Sequence, residues 1–205
     1  MANYLGGATP IGSFADGLDG ILHRYVAGGN LYPGDFVKLN GSVTQVSVGN
    51  NPINLKQVVS AANTTNEALT GVVIGKMVSS NRSGSSPVLD TPTGTTAPIT
   101  SGDIVYVADD PNLIFMIPCD GTVTVANLGL NSQITVGTGS AGRSTMKVNS
   151  AYLNAGTNAA TAPLRILDII DAPDNDGTGA TSGTVVTAKI NNHILNAGTG
   201  VAGTP

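Results

Sequence analysis

The chain predicts an all-β fold, an antiparallel barrel or sandwich with an extended N-terminal arm, a long loop rich in Ser, Gly, Pro and Thr, and a short flexible C-terminal tail. Three observations predict it. Val, Ile and Thr recur in runs of four to seven residues bounded by Gly, Asn, Asp and Pro, the composition of short strands separated by turns. Asn40-Gly41 and Asp120-Gly121 each stand between two such runs, and both dipeptides tolerate the positive φ of tight hairpins, which favours antiparallel pairing. Finally, Leu31-Tyr32-Pro33-Gly34-Asp35-Phe36-Val37 is echoed 68 residues later by Ile99-Thr100-Ser101-Gly102-Asp103-Ile104-Val105, as expected of a fold built from similar halves.

Residues 1–28 read as an arm, because Met1 to Tyr25 precedes the first strongly marked strand. Within it Phe14, Leu18, Ile21, Leu22 and Tyr25 recur at helical spacing, although Gly17 and Gly20 each weaken a helix by about 1 kcal/mol relative to alanine. Such a stripe packs on the protein's own sheet or docks on a neighbouring subunit. The spacing allows both, and these five are the candidate partner-binding residues.

The β domain spans 29–195. Strands are expected at Asp35–Leu39, Val43–Val48, Val72–Met77, Ile104–Ala108, Leu113–Ile117, Thr122–Ala126, Gln133–Val136, Thr145–Val148, Leu164–Ile170 and Thr184–Asn191. In the two echoed segments Gly makes a turn and Asp bonds local backbone before an apolar strand begins, so Asp35 and Asp103 are assigned structural work. Ser79 to Pro98 reads as the long loop, a length usually associated with function, mobility or ordering by a partner. Asn196 to Pro205 reads as the tail.

The chain has material for a core and little for chemistry. It is 40% hydrophobic, yet nine Lys and Arg, thirteen Asp and Glu, two His and one Cys are all it offers. Proton transfer, nucleophile activation and metal binding draw on such groups held close together, so no enzymatic activity, cofactor or metal is expected. A chain of this length buries roughly 70% of its unfolded surface and needs no staple. Cys119 has no possible intrachain partner and reads as a small semi-buried hydrophobe. A net charge of −4 argues against binding a phosphate backbone. The N-terminus lacks the basic start and apolar stretch of a secretory signal, and no run approaches the roughly 20 apolar residues of a membrane span, so the expectation is a soluble, unprocessed chain.

Gly137-Thr138-Gly139-Ser140-Ala141-Gly142 fits G-x-G-x-x-G, but a strand-like segment follows it where a pyrophosphate would need a helix N-terminus. Gly71 to Met77 has the wrong spacing for a phosphate loop and reads as a strand. Asp171, Asp174 and Asp176 form the densest carboxylate stretch; aligning Asp174 and Asp176 with the third and fifth EF-hand positions puts Ala172 first and Gly183 twelfth, which removes both essential carboxylates. His23 and His193 are far apart in sequence and flanked by Leu or Ile. The three Asn-x-Ser/Thr sites at Asn40, Asn63 and Asn81 read as chance matches.

Pro163 to Leu195, PLRILDIIDAPDNDGTGATSGTVVTAKINNHIL, resembles the end of a family of tailed-bacteriophage structural proteins encoded with the major capsid protein, and Ser101 to Gly121, SGDIVYVADDPNLIFMIPCDG, is similar to that family's preceding hairpin. The Gly-Asp strand entry resembles that of capsid decoration proteins. The Ser79 to Pro98 loop and the tail lie outside the resemblance. It implies a decoration or cement protein that binds the major capsid protein, bridges capsomers and assembles as a homotrimer. The acidic charge points to the outer surface of the virion, away from packaged DNA. The alternative is a host-attachment or glycan-binding module, against which stands the absence of Trp, the usual stacking platform for a sugar.

Overall fold

The computed structural model describes residues 7–13, 22–48, 51–64, 66–78, 88–90, 99–137, 139–140, 142–156, 158–171, 175 and 183–195. In chain order these form β1 (Thr9–Ser13), β2 (Leu22–Ala27), β3 (Phe36–Val48), β4 (Asn51–Ser60), β5 (Gly71–Val78), β6 (Val88–Asp90), β7 (Ile104–Ala108), β8 (Leu113–Pro118), a 3-10 turn (Val125–Asn127), β9 (Asn131–Ser132), β10 (Ile134–Thr135), β11 (Lys147–Val148), a short helix α1 (Ser150–Asn154), β12 (Leu164–Ile169) and β13 (Val185–Ile190). The protein is nearly all β, as its strand-forming composition predicts.

One sheet runs β3-β4-β2-β7-β5-β6, and β5 pairs back onto β3 at Phe36↔Val72 and Val37↔Gly71, closing a five-stranded barrel. Its pairings are antiparallel except for β2 with β4, which run parallel through Val26↔Gln57 and Ala27↔Val58. Bulges between Leu39 and Val43 and between Val73 and Gly75 supply the local bending that closure requires. Gly71 is needed at the closing seam, because a Cβ there would strike the carbonyl of Ala108. A second, antiparallel sheet runs β1-β8-β13-β12-β9, and β10 pairs with β11.

Strands β3, β5 and β7 are apolar on both faces because each face meets a different core. Val37, Val73, Val105 and Val107 point into the barrel with Ala27, Leu31, Val58 and Ile99. Their neighbours Phe36, Val72 and Ala108 join Leu113, Phe115, Ile117, Leu164, Ile166, Val186 and Ala188 in a core shared with the second sheet. Period-two alternation thus divides one strand between two interiors.

The echoed segments meet in space. Leu31 and Ile99 exchange backbone hydrogen bonds at 2.9 Å in both directions. Gly34 and Gly102 adopt φ of 92° and 94°, conformations that glycine takes without strain. Asp35 Oδ2 accepts from Tyr32 N at 2.8 Å, and Asp103 Oδ2 from Thr100 N at 2.9 Å. The assigned structural work of both aspartates is what these bonds carry out.

Several expectations need correction. The span 1–28 contributes two paired strands, with β1 on β8 and β2 between β4 and β7, so it is not an arm outside the sheets. Leu22 and Tyr25 share a strand, not a helix; the three-residue spacing coincided with the helical period, and tertiary pairing decided the backbone. Asn40-Gly41 is not a hairpin turn: β3 runs through it as a bulge, with Gly41 at φ 83° and Asn40 Oδ1 accepting from Ser42 N at 2.9 Å. Asp120-Gly121 leads into the 3-10 turn, and Thr122–Ala126 is not a strand. The reason is that Asp120 bonds distant groups, Ser150 N at 2.8 Å, Ser150 Oγ at 2.6 Å and Thr135 Oγ1 at 2.5 Å. Val88–Asp90, inside the expected Ser79–Pro98 loop, pairs with β5; the remainder of that loop and the tail Asn196–Pro205 lie outside the described residues.

Candidate interaction surface

Of the five candidate partner-binding residues, Phe14, Leu18 and Ile21 lie outside the described residues. Leu22 begins β2, opposite Ala108, and is 43% exposed. Tyr25 is half-buried against the barrel core, and its hydroxyl donates to Asp109 Oδ2 at 2.6 Å. Burial, the bond to Asp109 and that carboxylate's charge push its phenol well above the usual tyrosine range, so it stays a donor. Asp109 also bonds His23 Nδ1 at 2.7 Å. Together these contacts fasten β2 to the end of β7, which commits Tyr25 to the protein's own barrel.

The other residues singled out by chemistry are also accounted for locally. His193 is buried, with Nε2 bonded to Thr70 O at 2.8 Å and Nδ1 accepting from Leu195 N at 3.1 Å. Burial holds its pKa below the usual histidine range, and the bonds define the neutral Nε2–H tautomer. Burial pushes the Cys119 thiol up to about 12, consistent with an apolar filler. Asp120 sits below the usual carboxylate range because the bonds from Ser150 and Thr135 outweigh its burial. In the carboxylate-rich loop, Asp174 and Asp176 lie outside the described residues, while Asn175 knits β12 to β13: its Nδ2 donates to Ile170 O at 2.6 Å and Val185 O at 2.8 Å, and its Oδ1 accepts from Val185 N at 2.7 Å. Among the described residues no three His, Cys, Asp or Glu side chains are placed to hold a metal ion. Gly139 and Gly142, at φ 76°, belong to a turn that closes through a Ser140–Arg143 bridge.

The feature that composition did not single out is a ribbon. β3 continues past its last contact with β5 at Val37, and β4 begins well before its contact with β2 at Gln57. Between these limits, among the described residues, the two strands pair only with each other, through Val43↔Lys56, Thr44↔Leu55, Gln45↔Asn54, Val46↔Ile53, Ser47↔Pro52 and Val48↔Asn51. Six such pairs carry the ribbon about 20 Å from the barrel. The two faces differ: Val43, Gln45, Ser47, Pro52, Asn54 and Lys56 are exposed, whereas Thr44, Val46, Ile53 and Leu55 are half-buried and belong to neither core. The alternation Thr44-x-Val46 and Ile53-x-Leu55 was the available signal, hidden on β4 by Asn51, Pro52 and Asn54, all poor strand formers.

No protein-family model, curated protein or solved structure matches the chain. Geometry therefore defines its class by itself, an all-β protein whose most distinctive surface is a projecting, two-faced ribbon.

Proposed function

We propose that the protein is a capsid decoration protein of a tailed bacteriophage, binding the outer surface of the major capsid shell as a homotrimer and bridging capsomers without catalysis, cofactor or metal. The observation that carries this reading is the adjacency of the two stretches that resemble that family. Ser101–Gly121 holds β7 and β8, Pro163–Leu195 holds β12 and β13, and β8 pairs with β13 from Val185↔Pro118 to Lys189↔Ile114. The resemblance therefore falls on one connected block, β8-β13-β12, with a shared apolar face. A projecting ribbon and exposed apolar side chains such as Leu22, at 43%, and Ile11, at 49%, suit a protein that works by contact.

The test is addition of the purified chain to undecorated shells assembled from the major capsid protein encoded beside it, followed by sedimentation and cryo-electron microscopy. The expected result is saturable co-sedimentation and density on the outer surface where three capsomers meet. Absence of binding, or density inside the shell or at a fibre tip, would overturn the reading, the last outcome favouring the glycan-binding alternative.

A further inference from the structure

We propose that His193 is an acid-sensitive latch, which at neutral pH ties the segment Asn192 to Leu195, beyond β13, to Leu69 and Thr70 ahead of β5, and which lets that segment go when its Nδ1 takes a proton. It stands whether or not the chain binds a shell. Three observations carry it. First, the two ring nitrogens are used in opposite senses: Nε2–H donates to Thr70 O at 2.8 Å, while Nδ1 accepts from Leu195 N at 3.1 Å. A second proton leaves an imidazole with two donors and no acceptor, so it would set Nδ1–H against the Leu195 N–H on a residue only 1% exposed. Second, the gripped segment has a defined hinge. Leu69 N donates to Asn192 O and Ile194 N to Leu69 O, each at 2.9 Å, and these two bonds form the seam that the latch closes. One residue earlier, Asn191 N donates to Pro163 O at 2.8 Å and its Nδ2 to Ala160 O at 2.8 Å and Ala162 O at 2.9 Å. None of those groups titrates, so β13 stays in its sheet and opening starts beyond Asn191. Third, the seam holds an unmet polar group: Thr70 Oγ1 is buried without a hydrogen-bond partner among the described residues. Such a hydroxyl is costly to keep dry, and opening the seam would hydrate it.

The groups around the ring pull in opposite directions. Burial is the largest influence and resists the charged form; the Thr70 carbonyl, the Asp109 carboxylate and backbone, and the Asp110 carboxylate favour it, and burial prevails. Glu67, on the segment that the latch grips, is turned to Lys38 and the Ala62 amide, and the Asp109 carboxylate is shared by His23 and Tyr25. The closed ring therefore takes its proton at lower pH than the 6.5 of an unperturbed imidazole, whereas the released ring titrates as an ordinary histidine. The contribution of the closed latch is accordingly complete above pH 6.5 and is lost as pH falls from there toward the depressed value.

The test uses the full chain, whose two histidines give two assignable imidazoles by NMR, with amide hydrogen exchange followed from about pH 7.5 to about pH 4.5. At about pH 7 His193 is expected as the neutral Nε2–H tautomer, and on acidification it is expected to titrate below the range of an unperturbed imidazole. Over the same interval the protection of the Leu69, Ile194 and Leu195 amides, corrected for the intrinsic pH dependence of exchange, is expected to fall at least about tenfold, while Val105 and Val107 in β7 keep theirs. His193→Asn, whose Oδ1 accepts from Leu195 N without taking a proton, is expected to abolish that acid step; should the variant misfold by circular dichroism, the wild-type titration decides. The proposal is overturned by a charged ring or an Nδ1–H tautomer at about pH 7, by a ring still neutral at about pH 4.5, or by a ring that titrates while the three amides stay protected. Protection lost in β7 at the same pH, or an undiminished acid step in folded His193→Asn, would overturn it as well.

Discussion

Asp35 and Asp103 occupy the same place in two echoed turns and make the same local bonds, yet their surroundings differ. The turn at Asp103 is open to solvent: a Cβ on Gly102 would meet nothing, and Lys76 Nζ approaches Asp103 at 3.7 Å. The turn at Asp35 is clasped, with Gly7 N bonded to Met146 O at 2.8 Å, Ala8 N to Gly34 O at 2.9 Å and Ser144 N to Pro33 O at 3.0 Å. Burial consequently pushes the Asp35 carboxyl up to about 6, against partial relief from Ser144 and the Tyr32 amide. A folded-state pKa raised above the 3.8 of an unperturbed side chain means that the folded protein holds this proton more tightly. Its contribution to stability is therefore fully present below about pH 4, is lost as pH rises through about 6, and stays lost above. Asp35→Asn, which keeps an acceptor for Tyr32 N, is expected to remove that decline and to raise stability at pH 7 by at most roughly 3 kcal/mol. Urea denaturation of both proteins from pH 4 to pH 8 checks it; a difference curve flat across this range would refute it.

At the scale of elements, strands dense in core-facing apolar residues were legible and strands defined by their neighbours were not. Ile104–Ala108 was expected and found with the same bounds, and β5, β8, β12 and β13 lie within a residue or two of expectation. These runs are dense in Val, Ile and Leu because at least one face of each meets a core, β12 keeping Arg165 and Asp168 exposed on its other face. By contrast, β2 reads Leu-His-Arg-Tyr-Val-Ala and is exposed over its first three residues; it is a strand because β4 and β7 flank it. Removing residues 1–27 takes out both β1 and β2, opens the barrel between β4 and β7, and exposes Val58, Val105 and Val107, all fully buried. The truncated chain is expected to be insoluble or to lack a cooperative thermal transition by circular dichroism. A soluble truncation with a native spectrum and a sharp transition would show that β2 is dispensable to the barrel.

For the whole molecule, the two sheets are joined through side chains as well as through the chain. Phe36 on the barrel wall meets Phe115 on β8 edge to face, with ring centroids 5.7 Å apart and planes at 75°, and both rings are fully buried. Edge-to-face contact adds to the apolar area removed from water. Phe36→Ala is expected to cost about 3–5 kcal/mol, and because Phe36 belongs to the shared core the loss should lower the unfolding of barrel and second sheet together. Denaturant titration followed by Tyr fluorescence and by far-ultraviolet circular dichroism provides the check; separated transitions in the variant, with one half unmoved, would count against a shared core.

The sequence by itself determined the β class, the main core strands and the two Gly-Asp turns, because alternation, β-branched composition and turn chemistry act over a few residues. It also identified Asp35 and Asp103 as turn-makers. Tertiary structure alone decided that Asn40-Gly41 would be a bulge within a continuous strand, that Asp120 would bond Ser150 and Thr135 instead of closing a hairpin, and that Tyr25 would anchor on Asp109. Each of these depends on partners far away in sequence, 84 residues in the case of Tyr25 and Asp109. The ribbon was half legible: its alternation is local, but its projection follows from where β5 and β2 stop pairing with it, and pairing is a property of the folded neighbourhood.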